Sequence, residues 1–177
     1  MDINVIPIHL SNSGLLDDIL LELSRRFNSR VNLVELDVNI ESAFSIERKQ
    51  FFSTQLLANT IKLSDNINGK ILLLTEFDLY VPALTFVFGE AQLNGKHSIV
   101  SLCRLHEEFY SGRTDHSLLL KRSLKEILHE IGHNFGLKHC LNWDCVMHAS
   151  LSIEEVDIKG DQYCKTCVSS IDGYKTF

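Results

Sequence analysis

The segment HEIGHNFGLKHC, residues 129–140, constrains the fold and the chemistry of this 177-residue chain more than any other. Apolar residues spaced by three and four lead into it and predict a helix over residues 116–135: Leu120, Leu124, Ile127, Leu128, Ile131 and Phe135. On such a helix His129 and His133 lie about 40° apart around the axis and one turn apart in height. Two imidazoles placed in this way can bind one metal ion, and Glu130 stands beside the first of them.

A third histidine must come from outside the helix, and Gly136 is suited to end the helix because glycine adopts the left-handed conformation without a Cβ penalty. The chain then reverses and can bring His139 to the same ion. Three histidines with an open fourth position are typical of catalytic zinc, which Glu130 would serve as general base. The alternative is that the histidines are merely packed and hydrogen-bonded. The glycine and the third histidine at fixed offsets favour the metal site.

Four of the five cysteines form a second pattern: Cys140 and Cys145, then Cys164 and Cys167. Two thiolate pairs are typical of a closed structural zinc site. Two disulfides, or a mixture of free and packed thiols, are the alternatives, and no signal peptide supports disulfides. The remaining Cys103 is interpreted as a buried free thiol. Because side chains of adjacent residues in an extended chain point to opposite sides, we expect the second zinc to support His139 through Cys140.

Hydrophobic periodicity predicts five strands and three helices. The strands are placed at residues 3–9, 30–38, 70–80, 84–92 and 97–105, and the helices at 14–27, 45–63 and 116–135. The pair Asn94-Gly95 indicates a type I′ hairpin turn, so that the last two strands are antiparallel neighbours. These elements predict an α+β fold with one mixed sheet, followed by a tail of loops with at most one short helix.

The overall composition narrows the range of partners. A net charge of −6 disfavours nucleic acid, and the longest apolar runs are too short to span a membrane. We expect a cytoplasmic monomer, because there is no signal peptide and no motif for oligomerisation. The first predicted strand begins close to residue 1, so we expect no inhibitory propeptide. We therefore expect restricted access and a narrow choice of substrate.

The motif HEIGHNFGLKH followed by Met147 resembles the metzincin clan of zinc peptidases. Within that clan, the order HExxHxxGxxHC-x4-C-x-M…C-x2-C is similar to the archaemetzincin family. Sixteen residues separate Met147 from Cys164, one fewer than in the family pattern. Residues 87–105 also resemble the stretch that precedes the family's active-site helix, so the specific likeness covers about the second half of the chain.

The resemblance implies a zincin/metzincin-like single domain over residues 1–177. It has a mixed, twisted five-stranded sheet with an antiparallel edge strand, backing helices and an active-site helix. Residues 1–136 would form the N-terminal subdomain, and 137–177 a small C-terminal subdomain that contains the four-cysteine zinc site. The resemblance implies two zinc ions per chain, with His129, His133 and His139 as ligands of the catalytic one. Glu130 matches the general base, and Met147 matches the Met-turn residue beneath the metal.

The strand over residues 84–92 is expected at the sheet edge in front of the metal, where an extended peptide can add as a further strand. We predict that the substrate main chain lies along Phe86, Val87, Phe88, Gly89, Glu90 and Ala91, with Gly89 allowing close approach. The leading interpretation is a zinc metallopeptidase acting on peptides or proteins. The alternative is a non-catalytic zinc- or peptide-binding protein with the same fold, which would not need Glu130.

Overall fold

The computed structural model describes residues 1–171 and 173–175. Two short 3₁₀ turns, Glu41–Ala43 and Cys103–Leu105, accompany the regular elements. In chain order these are β1 (Ile3–Ile8), α1 (Ser13–Phe27), β2 (Val31–Leu33), β3 (Phe44–Ser45), β4 (Gln50–Phe52), α2 (Ser53–Ser64), β5 (Lys70–Thr75), β6 (Leu79–Tyr80), β7 (Gly89–Ala91), β8 (His97–Ser101), α3 (Glu108–Ser111), α4 (His116–Asn134), α5 (Ile153–Ile158) and α6 (Lys165–Val168).

The main sheet has five strands in the order β2-β1-β5-β8-β7, which confirms the predicted mixed sheet. Four strands are parallel, and β7 is antiparallel to β8 at one edge. The central strand β5 has the sequence KILLLT, and five of its six residues are buried because both faces of the sheet are covered. Alternate residues of β5 pack on opposite faces. Leu72 and Leu74 face the cluster that contains α1 and α4, whereas Ile71 and Leu73 face α2.

The C-terminal part of the chain packs against α4, in the same apolar cluster as α1. Val146, Met147 and Val156 are fully buried there, and Tyr163 donates a hydrogen bond to the Leu128 carbonyl of α4. This part contains two short helices, α5 and α6, where at most one was predicted. Among the described helices, none is long and apolar enough to cross a membrane.

The predicted helix over residues 45–63 is wrong in its first third, where β3 and β4 form a second sheet with β6. Phe51 pairs with Leu79 and stacks on Phe77 at a centroid distance of 3.9 Å. The Gln50 amide donates to the carboxylate of Asp78. Tertiary contacts therefore hold this segment extended, although its apolar spacing suits a helix. The predicted strand 70–80 is likewise divided into β5 and β6, because β6 pairs with β4 in the second sheet.

The turn between β7 and β8 is not the predicted type I′ turn, since Asn94 has a positive φ of 56° and Gly95 does not. The loop docks on the C-terminal end of α4 instead. The Asn94 amide donates to the His133 carbonyl at 2.8 Å, and Lys70 Nζ donates to the carbonyls of Gly95 and Asn134. These contacts determine the shape of the turn and hold β7 beside α4.

Candidate metal centres and active-site cleft

Helix α4 carries His129 and His133, and both of its ends are capped. Asp115 accepts a hydrogen bond from the Leu118 amide at the N-terminus. At the C-terminus Gly136 has a φ of 85°, as predicted, and its amide donates to the His133 carbonyl at 2.9 Å. The Leu137 amide donates to the Gly132 carbonyl at 3.1 Å, which completes a Schellman motif. This motif reverses the chain toward residue 139.

The structure brings His129, His133 and His139 together, with one ring nitrogen of each within 4.8 Å of the others. The Nδ1 atoms of His129 and His133 donate to the carbonyls of Val146 and Leu137, at 2.9 and 2.8 Å. Both neutral rings then direct the lone pairs of their Nε2 atoms, 3.1 Å apart, toward the same point. The arrangement is compatible with a shared cation, since tetrahedral zinc would place its nitrogen ligands about 3.3 Å apart.

Burial favours the neutral, metal-binding form of these rings. It lowers the pKa of His129, His133 and His139, and the positive charge of Lys159 lowers each pKa further. His139 is the most exposed of the three, and no described residue hydrogen-bonds to its ring. Its ring packs against those of His129 and His133, at centroid distances of 5.3 and 5.0 Å, and its backbone continues directly into Cys140.

Glu130 lies in the cleft wall beside the histidines and is almost fully buried. Burial raises the pKa of its carboxyl group well above the usual value, and the nearby charge of Glu126 raises it further. A Cβ atom on Gly89 would stand 2.7 Å from both Cγ and Oε1 of Glu130. The glycine of the edge strand thus makes room for this carboxylate. The sequence prediction had assigned that space to the substrate.

Met147 is fully buried beneath the histidine-bearing part of α4. A Cβ atom on Gly132, between the two helical histidines, would stand 2.3 Å from the Met147 Sδ atom and 3.0 Å from the ring of Tyr163. The glycine in HEIGH therefore allows the Met147 side chain to approach the helix backbone. This role was not predicted, because the motif itself leaves that position open.

The four cysteines form the second cluster, with all four Sγ atoms within 4.8 Å of one another. They are free thiols, so the disulfide alternative is wrong. Tetrahedral zinc would separate its sulfur ligands by about 3.8 Å, and this donor set fits it. The Cys140 amide donates to the Met147 carbonyl at 2.9 Å, which ties this cluster to the floor of the histidine site. Cys103 lies apart and is half-buried, and burial raises its pKa to about 11.

A cleft of about 840 Å³ runs along β7 and over the histidines. All six predicted substrate-contacting residues line it, but two of their side chains are already engaged. Phe88 is buried against Phe86, and the Glu90 carboxylate accepts hydrogen bonds from the hydroxyls of Ser53 and Thr54 at the start of α2. Several lining residues were not predicted: Leu84, Thr85, Leu93, Glu126, Lys138, Ala149, Ser150 and Leu151. Leu84 and Thr85 had a signal, since they belong to the predicted edge strand 84–92, and so did Glu126, which lies one helical turn before Glu130.

Comparison with known proteins identifies relatives over nearly the whole chain. The model of Peptidase family M54 matches residues 10–173. An archaemetzincin of Methanocaldococcus jannaschii is 41% identical over 158 residues, which are 88% of this chain and 86% of the relative. One from Saccharolobus solfataricus is 38% identical and covers 96% of this chain and 85% of its own length.

Solved structures give the same result. A crystal structure of archaemetzincin from Archaeoglobus fulgidus superposes with a TM-score of 0.81 at 34% identity, covering 97% of this chain and all of the other. The structure of a zinc-dependent peptidase from Methanocorpusculum labreanum superposes with a TM-score of 0.85 at 30% identity, covering 96% of this chain and all of that one.

Proposed function

The chain belongs to Peptidase family M54, and we propose that it hydrolyses peptide bonds with a zinc ion held by His129, His133 and His139. The observation that carries this proposal is the convergence of the three rings beside the buried carboxylate of Glu130. The hydrogen bonds of His129 and His133 to backbone carbonyls support it, because they fix the tautomer that leaves Nε2 free for a metal.

Zinc bound there would polarise the substrate carbonyl and lower the pKa of a bound water toward ~7. Glu130 acts as the general base: its carboxylate takes a proton from the attacking water and passes it to the leaving amide nitrogen. The raised pKa of the buried carboxyl group suits a residue that must hold a proton between the two transfers. Gly89 leaves the space in which this carboxylate stands beside the edge strand.

We propose a shorter pairing segment for the substrate than the predicted residues 86–91. Phe88 accepts from the Ser101 amide and Gln92 donates to the His97 carbonyl, so alternate main-chain groups of β7 face β8. Gly89 and Ala91 then face away from the sheet. Val87 also faces away, but its amide already donates to Leu79. A peptide strand would therefore pair with the main chain of Gly89 and Ala91.

A second zinc ion at Cys140, Cys145, Cys164 and Cys167 is part of the same proposal, giving two ions per chain. Its role would be structural, because four thiolates leave no open position. It would hold Cys140 and with it His139, whose ring accepts or donates no hydrogen bond among the described residues. The division into subdomains 1–136 and 137–177 remains a prediction, as do the cytoplasmic location, the monomeric state and the absence of nucleic-acid and membrane partners.

The experiment combines metal analysis with a peptide-library cleavage assay of wild type and Glu130→Gln. We expect two zinc ions in both proteins and cleavage by wild type alone. Glu35→Gln, an exposed change just beyond β2 at the opposite edge of the sheet, serves as the matched control and should cleave normally. If the zinc-loaded wild type cleaved nothing, the protein would be the non-catalytic binder. A measured content of one zinc ion per chain would contradict one of the two proposed metal sites.

A further inference from the structure

A buried ion pair lies in the cleft wall beside the proposed general base. Glu126 is on α4, one turn before Glu130 and on the same face, and it lines the cleft. Lys159 reaches it from the C-terminal part of the chain, with Nζ 2.7 Å from Glu126 Oε1. The Lys159 side chain is 0% exposed and that of Glu126 is 5% exposed. The proposed reaction uses neither residue.

The hydrogen-bonding capacity of this wall is not filled. Glu126 Oε1 is paired with Lys159, and no other described residue donates a hydrogen bond to the Glu126 carboxylate, which can accept about four. The Oγ atom of Ser150, on the same cleft, is also buried and has no hydrogen-bond partner among the residues described. Buried polar groups in folded proteins nearly always have partners. The unpartnered Ser150 hydroxyl and the remaining acceptor sites of Glu126, both on residues that line the cleft, therefore indicate a polar ligand.

Stability does not account for the pair. Taking both charges out of water costs several kcal/mol per ion, and well-packed apolar residues in place of a buried ion pair are often neutral or stabilising. The apolar contacts of Val146, Met147 and Val156 already hold this part of the chain against α4. The polar groups beside Glu130 are therefore better explained by the recognition of a polar ligand.

We propose that Glu126 and Ser150, with the buried Lys159 paired to Glu126, form the polar end of a pocket that selects substrates by one side chain next to the cleaved bond. The selected side chain ends in an N–H or O–H donor, as asparagine does. Lys159 neutralises Glu126, so the pocket accepts a hydrogen bond without requiring a charge. An apolar side chain of the same shape would bury these groups unpaired, which should weaken binding by roughly 5- to 100-fold. This inference rests on the proposed function, because a metal-bound substrate places the side chain.

The test uses peptide hydroxamates, whose hydroxamate group chelates a metal, with asparagine, leucine or aspartate as the neighbouring residue. These three side chains have nearly the same shape, so they separate hydrogen bonding from size. Calorimetry on the zinc-loaded full chain should find the asparagine compound bound roughly 5- to 100-fold more tightly than the leucine compound. The aspartate compound should also bind more weakly than the asparagine one, because it offers no donor. Equal binding of asparagine and leucine, tighter binding of aspartate, or no binding of any compound would overturn the proposal.

Two variants assign the preference to these residues. In Glu126→Leu/Lys159→Met the asparagine preference should disappear, since both charges are removed together. The matched control replaces the surface pair of α1 with the same residue types, Glu22→Leu/Arg25→Met, and should leave the preference unchanged. Ser150→Ala should reduce the preference and supplies the answer if the double variant does not fold. A preference that survives in both cleft variants would contradict the assignment.

The outcomes also separate this inference from the proposed function. Hydroxamate binding needs no turnover. Selective binding of the asparagine compound with no peptide cleavage would refute the proposed peptidase activity but not the proposed pocket. Peptide cleavage without an asparagine preference would refute the proposed pocket but not the peptidase activity.

Discussion

Replacing Gly89 with alanine tests the fit between the edge strand and Glu130. The added Cβ would stand 2.7 Å from Cγ and Oε1 of Glu130 and 2.8 Å from the carbonyl oxygen of Ile99. Ordinary contact begins at 3.4 Å, so relief requires movements of about 0.7 Å. The carbonyl belongs to β8, which is hydrogen-bonded between β5 and β7. We therefore expect Glu130 to move more than the strand does.

Two magnitudes follow from this displacement. Moving a catalytic group by about 1 Å lowers the rate by roughly 100-fold, so kcat of Gly89→Ala should fall by that order. Overpacking of a buried site costs about 1–3 kcal/mol. For a chain of this length that corresponds to a decrease in Tm of roughly 2–12 °C. The zinc affinity should stay unchanged, because the three atoms nearest to the new methyl group belong to Glu130 and Ile99 and not to the histidines.

The assay measures kcat with a cleaved fluorogenic peptide, Tm by calorimetry and zinc affinity by competition with a chelator. Gly14→Ala in α1 is the matched control: its new Cβ meets only Asn12 Oδ1, at 3.6 Å. That change should leave kcat unaltered and raise stability by about 0.5–1 kcal/mol. Wild-type kcat and Tm in Gly89→Ala would refute the inferred contact. A loss of zinc with an unchanged Tm would show that the metal site, and not Glu130, had been disturbed.

Three further outcomes are expected. Cys140→Ser should weaken zinc binding at the histidine site by roughly 10- to 100-fold in chelator competition, whereas Cys103→Ser should not. His97 is buried with its pKa lowered to about 4, against about 6.5 in the unfolded chain. As the pH falls, the unfolded state therefore takes up the proton first, and the free energy of unfolding should decrease between pH 6.5 and 4. Denaturant titrations should show a smaller decrease in His97→Gln. Gly132→Ala should destabilise the protein by about 1–3 kcal/mol, and a double-mutant cycle with Met147→Ala should recover part of that loss.

The presence of the five strands of the main sheet was predictable from apolar segments separated by turns or helices. Their lengths were not: β2 (VNL) and β7 (GEA) have three residues each, against the predicted ranges 30–38 and 84–92. The failure over residues 45–52 has a specific cause. Phe51 and Phe52 continue the apolar spacing of α2, but Phe51 stacks on Phe77, which lies in a different part of the sequence. Local periodicity contains no information about that partner. The shape of the Asn94 turn was missed for the same reason, since α4 determines it.

The histidine site was predictable to the extent that it is local. His129 and His133 share one helix, and Gly136 ends it where the motif requires. The Glu126–Lys159 pair was not predictable, because Lys159 lies in the charged stretch EEVDIKGD, which reads as an exposed surface. Only the packing of the C-terminal part against α4 buries it. The contact between Gly89 and Glu130 was not predicted, because a sequence cannot say which side chain approaches a glycine; the substrate contact of Gly89 stays a prediction.

The three residues Cys145, Val146 and Met147 explain why the two clusters should act as one unit. Cys145 contributes its thiol to the four-cysteine cluster, the Val146 carbonyl fixes the ring of His129, and the Met147 side chain fills the space at Gly132. The Met147 carbonyl also accepts the Cys140 amide, beside His139. Each connection is a direct contact through one rigid stretch of backbone. Loss of a metal ion from the cysteine site should therefore loosen both the support of His129 and the placement of His139. Once the cysteine site is empty, a lower chelator concentration should suffice to remove zinc from the histidine site.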